Sequence, residues 1–155
     1  MNKPLIITVL IILVVFSAFF SSTEMAFAKV NKTKLSRDAE KKIKAAILAN
    51  SFVNDYNDTI TVILIGNNVV NIAASSLATI LFTSISPTNG EWLATIVMTL
   101  TILTFGEIIP KSLATSYSYG FSKLFAYPMK LFQFIFWPLT WVIKKTTNGL
   151  TTLLS

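Results

Sequence analysis

Three long apolar runs divide this chain: Leu5–Val30, Ile60–Phe82 and Trp92–Ile109. Each is close to the roughly 20 residues needed to cross a hydrocarbon core of about 30 Å. Within lipid a backbone N–H or C=O has no water to bond, so a run of this length reads as a helix that satisfies itself. The composition agrees: 53% of the 155 residues are hydrophobic and 13% charged, against about 25% charged in a typical soluble domain. The expected architecture is all-α and integral to the membrane. We place the spans at about 4–29, 58–82 and 91–110, with juxtamembrane segments over 31–54 and 112–150, all in a single membrane domain.

Charge orients the spans. Lys29, Lys32, Lys34, Arg37, Lys41, Lys42 and Lys44 crowd the first polar stretch against only Asp38 and Glu40. Basic residues beside membrane helices mark the cytoplasmic side and contact anionic lipid. The net charge of +6 therefore points to membrane lipids, and no nucleic-acid partner is expected. The loop Thr83–Glu91 has no basic residue and belongs outside, as does the N-terminus, although Lys3 dissents. Lys111, Lys123, Lys130, Lys144 and Lys145 then fall inside, in a multi-pass protein of the plasma (inner) membrane. Lys3, the run Leu5–Phe20 and Ala26-Phe27-Ala28 also imitate a cleaved signal peptide. The length of the run and its recurring polar face favour a retained span.

Two flanking regions are less regular. Leu35, Ala39, Ile43, Ala46 and Ile47 recur at helical spacing among Lys and Glu, which predicts a solvated or interfacial helical segment over Asn31–Asn54. Phe121–Ile143 is rich in aromatics but carries Pro128, Pro138, Lys123 and Lys130. Tyr127, Trp137 and Trp141 suit the membrane interface, and a fourth crossing would export Lys144-Lys145. We expect a proline-interrupted juxtamembrane or re-entrant segment there.

The chain has no histidine and no cysteine. Imidazole and thiolate sites for zinc, copper or iron are excluded, so any bound cation takes oxygen, which favours Mg²⁺, Ca²⁺, Mn²⁺ or Na⁺. Two acids, Glu24 and Glu107, lie within apolar runs. A carboxylate in hydrocarbon costs at least about 2.5–3.5 kcal/mol on insertion scales, which makes each a functional candidate. With no recognisable nucleophile motif beside them, catalysis is not expected.

Around these acids lie further oxygen donors. Ser17, Ser21 and Glu24 share a face of the first span, and Ala28 continues that stripe. In the second span Asn67, Asn71 and Ser75 lie four apart, with Gly66, Ala74 and Ala78 allowing close approach of backbones. Interhelical hydrogen bonding is the plain alternative for any one of them. Three asparagines (Asn67, Asn68, Asn71) within five residues exceed that need. In the third span Pro110 has no N–H, so the carbonyl of Gly106 loses its α-helical partner. Freed carbonyls at broken membrane helices commonly coordinate cations. The alternative is that Pro110 ends the helix and Glu107 snorkels to water beside Lys111. At about 1.5 Å per residue, Ser21 and Asn67 each lie about 12 Å from the basic end of their span, and Glu24 and Gly106 about 7 Å. Such a set could complete the six-oxygen octahedral shell that Mg²⁺ demands.

Phe20-Ser21-x-x-Glu24-x-Ala26, Gly66-Asn67-x-x-x-Asn71 and Phe105-Gly106-Glu107-Ile108-Ile109-Pro110-Lys111 together resemble the CorC / cyclin M (CNNM) transporter family. The likeness spans essentially the whole chain as that family's transmembrane domain. It implies three transmembrane helices with cytoplasmic juxtamembrane helices, an external N-terminus, a homodimer, and Mg²⁺ export coupled to Na⁺ entry. By motif, the implied ligand positions are Ser21, Asn67, Gly106 and Glu107, with Glu24 and Asn71 close by; Ser22 and Asn68 are the neighbours one register away. It also implies cytoplasmic CBS modules in the full-length protein, and no segment of these residues resembles one. The expected function is a Mg²⁺ transporter working by alternating access. The alternative is a Mg²⁺-binding membrane sensor or scaffold that moves no ion.

Overall fold

Asn2 starts the first span. Its side chain accepts the Leu5 N–H at 3.3 Å, and Pro4 occupies the first turn, where a missing N–H costs nothing. In the computed structural model, which describes residues 2–155, α1 then runs unbroken over Lys3–Lys29. It is followed by α2 (Lys32–Glu40), α3 (Lys44–Asn54), α4 (Tyr56–Ile85) and α5 (Gly90–Thr101). A π-helical segment, Ile102–Ile108, joins α5 to α6 (Ile109–Ser116); α7 (Ser118–Ile135) and α8 (Trp137–Leu154) complete the chain. Among the described residues there is no strand.

Among the described residues three stretches are long and apolar enough to cross a membrane: Lys3–Lys29, Tyr56–Ile85 and Gly90–Ser116. The third runs through α5, the π segment and α6 without a break. Pro110 therefore does not terminate it as expected. It sits in the first turn of α6, where the ring's fixed φ suits a helix. Of the two prolines expected to interrupt the C-terminal region, only Pro138 stands at a break. Pro128 lies inside α7, the division falls at Phe136, and Pro138 opens α8.

The segment 31–54 is two helices rather than one. Lys42 adopts a left-handed conformation (φ 65°), turning the chain between α2 and α3. This turn resets the helical register, so Leu35, Ala46, Ala49, Phe52 and Val53 are buried while Ile43 and Ile47 face outward. The pair is packed against the bundle, not a free solvated helix. Thr59 fastens its far end, donating its hydroxyl to the Phe52 carbonyl at 2.7 Å. By contrast, α8 buries none of its described residues and is tied to α4 through Lys144–Asp58 at 3.1 Å.

The bundle has two apolar clusters. One gathers Phe20, Phe27, Leu35, Phe52, Ile63, Met129 and their neighbours at the end where α2, α3 and α7 meet the spans. We call this the basic end. The other, at the far end, joins Leu10, Ala74, Ala78, Leu81, Ala94 and Met98. Both clusters pair α1 with α4 in opposite order along their sequences, so these two spans are antiparallel, whereas Gly90–Ser116 runs in the direction of α1. The polar residues of the spans fall between the clusters.

Candidate cation site

In the polar layer α1 lies close against the π segment. Gly106 is buried, and a Cβ placed on it would lie 2.7 Å from the Ser17 hydroxyl. Only glycine admits that contact. Ser17 donates to Asn67 Oδ1 at 3.3 Å, and Asn71 Nδ2 reaches the same oxygen at 3.4 Å. Ser17, a lesser candidate from sequence, is thus the residue that joins all three spans. Gly66 does similar work beside it, since a Cβ there would enter the ring of Phe20.

Most span hydroxyls are satisfied at home. Thr8, Thr23, Thr61, Thr79, Thr95 and Thr101 each donate to the carbonyl four residues back, the cheapest solution inside a helix. Ser21 does not. It is 0% exposed, and its Oγ has no hydrogen-bond partner. Asn71 Oδ1 is likewise buried and unpaired; Thr83 Oγ1, the remaining such atom among the described residues, lies far from both, near the end of α4. An unmade bond of this kind costs about 1–3 kcal/mol, so two of them flanking one polar contact call for an explanation.

Their order along the bundle is informative. Because α1 and α4 are antiparallel, Ser21 lies one turn (about 6 Å) toward the basic end from the Ser17–Asn67 contact, and Asn71 a similar step toward the far end. The free oxygens are therefore stacked on either side of the Ser17–Asn67 contact rather than gathered around one point.

The π segment supplies further acceptors. A π turn reaches back five residues rather than four, and the Ile109 N–H donates to Thr104 O. Phe105 O thereby loses its α partner to the register shift and its π partner to Pro110, which has no N–H. Gly106 O loses its α partner to the same proline, as sequence alone indicates. Helix carbonyls point toward the C-terminal end, so from Gly106 they point toward the level of Ser21. Glu107, next in sequence, is half-buried and makes no ion pair or side-chain hydrogen bond among the described residues.

The other expected ligand residues are placed differently. Glu24 sits beside Lys111, with Oε2 and Nζ 3.7 Å apart. Ser22 is buried, and its hydroxyl donates to the Pro110 carbonyl at 3.4 Å, on the side of α1 facing α6. Asn68, Ser75 and Ala28 are exposed and face away from the layer. Ala26 and Phe27, not Ala28, continue the buried side of α1. Among the described residues no three acidic side chains converge on one point, so the donor set rests on hydroxyl, amide and backbone oxygen with at most two carboxylates.

This architecture is that of a multi-pass helical membrane domain with a polar layer enclosed among three spans. Residues 8–155 match the family described as cyclin M transmembrane N-terminal domain. The chain belongs to this CNNM family, also called DUF21 or UPF0053. It is 33% identical over 92% of its length to a UPF0053 protein of Haemophilus influenzae, covering 34% of that protein. It is 32% identical over 86% of its length to the UPF0053 inner membrane protein YfjD of Escherichia coli, covering 31%. A chloroplastic DUF21 domain-containing protein of Arabidopsis thaliana is 33% identical over 94% of this chain, which covers 22% of that relative. The chain thus spans between about a fifth and about a third of the length of these curated relatives.

Proposed function

We propose that this chain is the membrane domain of a Mg²⁺ transporter that exports the ion from the cytoplasm by alternating access, driven by Na⁺ entry. The observation that carries this reading is the fully buried, unpartnered Ser21 hydroxyl at the level toward which the freed Phe105 carbonyl and the Gly106 carbonyl, which has no α-helical partner, point. Hard oxygen donors kept without partners in a dry interior suit a cation that sheds water on entry. The ion rests on the basic-end side of the Ser17–Asn67 contact, held by Ser21, Gly106 and Glu107 with Asn67 above it. Asn71 receives it on the far side once that contact opens. Na⁺ entering by the same oxygens supplies the energy for export. Family membership and the absence of imidazole and thiolate donors support an all-oxygen cargo site.

The basic end faces the cytoplasm of the plasma membrane, with the N-terminus outside and α2 and α3 lying against anionic lipid. The working unit is a homodimer, and cytoplasmic CBS domains belong to the full-length protein. Mg²⁺ efflux from loaded proteoliposomes, with and without an opposing Na⁺ gradient, tests the reading. Wild type should transport faster with Na⁺ outside, and Ser21→Ala and Glu107→Ala should each slow efflux by about tenfold or more, as loss of one ligand does in metal sites. Equal efflux from wild type and both variants would overturn it. Tight Mg²⁺ binding with no flux would instead establish a sensor.

A further inference from the structure

The Glu24–Lys111 pair stands on the same path as the cation site, one layer further toward the basic end than Ser21. Glu24 is one turn from Ser21 on α1, and Lys111 is five residues beyond Gly106. Their side chains are 25% and 34% exposed and 3.7 Å apart. Partly solvated pairs at this separation contribute little to stability, so fold stability alone does not account for an acid and a base within two membrane helices. The backbone beneath Lys111 is held, because Ser22 donates to the Pro110 carbonyl. The ammonium itself rides on a flexible four-carbon stem and is free to swing.

The charges also balance in a suggestive way. Two carboxylates, Glu24 and Glu107, flank this end of the site, and Lys111 alone is ion-paired there among the described residues. A divalent ion that displaces the ammonium leaves two negative charges facing two positive ones. We propose that Lys111 is a tethered counter-cation that rests on Glu24 when the site holds no divalent ion and is displaced when one enters. It thereby sets the affinity of the cytoplasmic mouth and keeps a stray monovalent ion from occupying Glu24. The inference rests on the cation-site reading above.

The test is a mutant cycle on the intact chain, reading the Mg²⁺ concentration that gives half-maximal thermal stabilisation in detergent. Lys111→Met should bind Mg²⁺ about tenfold more tightly than wild type, which lies within the range of the Coulomb interaction between unit charges at this separation near a protein surface. In a Glu24→Gln background the same substitution should change nothing. If Lys111→Met only lowers the melting temperature and leaves half-saturation unchanged, the pair is a structural clamp and the proposal is overturned. It is also overturned if the shift persists without Glu24. Lys111→Gln serves in place of a Met variant that fails to fold. Ser21→Ala separates the two levels: lost Mg²⁺ response there with an unmoved Lys111→Met overturns the counter-cation alone, whereas no Mg²⁺ response in wild type overturns the site and the counter-cation together.

Discussion

The two apolar clusters hold the same spans by different means. At the far end Ala74, Ala78 and Ala94 bring backbones together, with Leu10, Leu81 and Met98 filling the gaps. Lipid chains are as apolar as these side chains, so close van der Waals contact rather than escape from water must hold this end. At the basic end aromatic rings dominate. Phe27 stacks on Phe52 at 5.7 Å, Phe20 meets Phe132 edge-on at 4.9 Å, and α2, α3 and α7 add buried surface. That end resembles the core of a soluble domain and anchors the spans. The polar layer lies at the junction between the ring-packed end and the alanine-packed end, which the proposed transport cycle would let slide, and the π segment adds an irregularity there.

Substitutions can break this contrast in order of size. Phe20→Ala, in the anchoring cluster, should cost about 3–5 kcal/mol and remove the wall against which Gly66 packs; unfolding in a mixed-micelle titration would measure it. Ala78→Leu at the far end should cost about 1–3 kcal/mol through overpacking. Its larger consequence should be on transport, because the backbones of α1 and α4 can no longer close; a loss of stability without a change in flux would contradict a sliding far end.

Asn71→Ala sharpens the comparison between structure and site. It removes a buried acceptor that has no partner together with one long 3.4 Å hydrogen bond to Asn67, so stability without Mg²⁺ should change by less than about 1 kcal/mol. Mg²⁺ efflux should slow about tenfold, equivalent to about 1.4 kcal/mol on the barrier, while titration calorimetry should find affinity at the basic-end site close to wild type. Asn68→Ala, on the exposed side of the same helix, should stay within about 0.5 kcal/mol in stability and leave Mg²⁺ affinity unmoved.

Much of this was readable without coordinates because membrane insertion depends on local composition. The presence of three apolar spans, the polar stripe through Ser17, Ser21, Asn67 and Asn71, and the anomaly at Gly106–Pro110 all follow from short-range patterns. The buried faces beyond a break did not. A left-handed Lys42 resets the register of α3, and a π turn rotates everything after Ile102 relative to α5. Neither leaves a reliable mark in the residues. By sequence Ser17 reads as ordinary helix glue, but the fold sets its hydroxyl against Asn67 of α4 and the backbone of Gly106. Glu24 looked like a ligand of the same rank as Glu107, yet packing of α6 places Lys111 against it.

Hydropathy, charge asymmetry and the lack of His and Cys were enough to determine a three-span helical membrane domain whose chemistry is limited to oxygen donors. Those are sums over neighbouring residues, and lipid enforces them segment by segment. Which oxygens stand unpartnered, which acid has a counter-ion, and the stacking of donors on either side of Ser17 were decided only by the fold. The physical reason is that an unmet hydrogen bond is a property of everything surrounding an atom, and the chain brings those surroundings from residues 50 to 90 positions away.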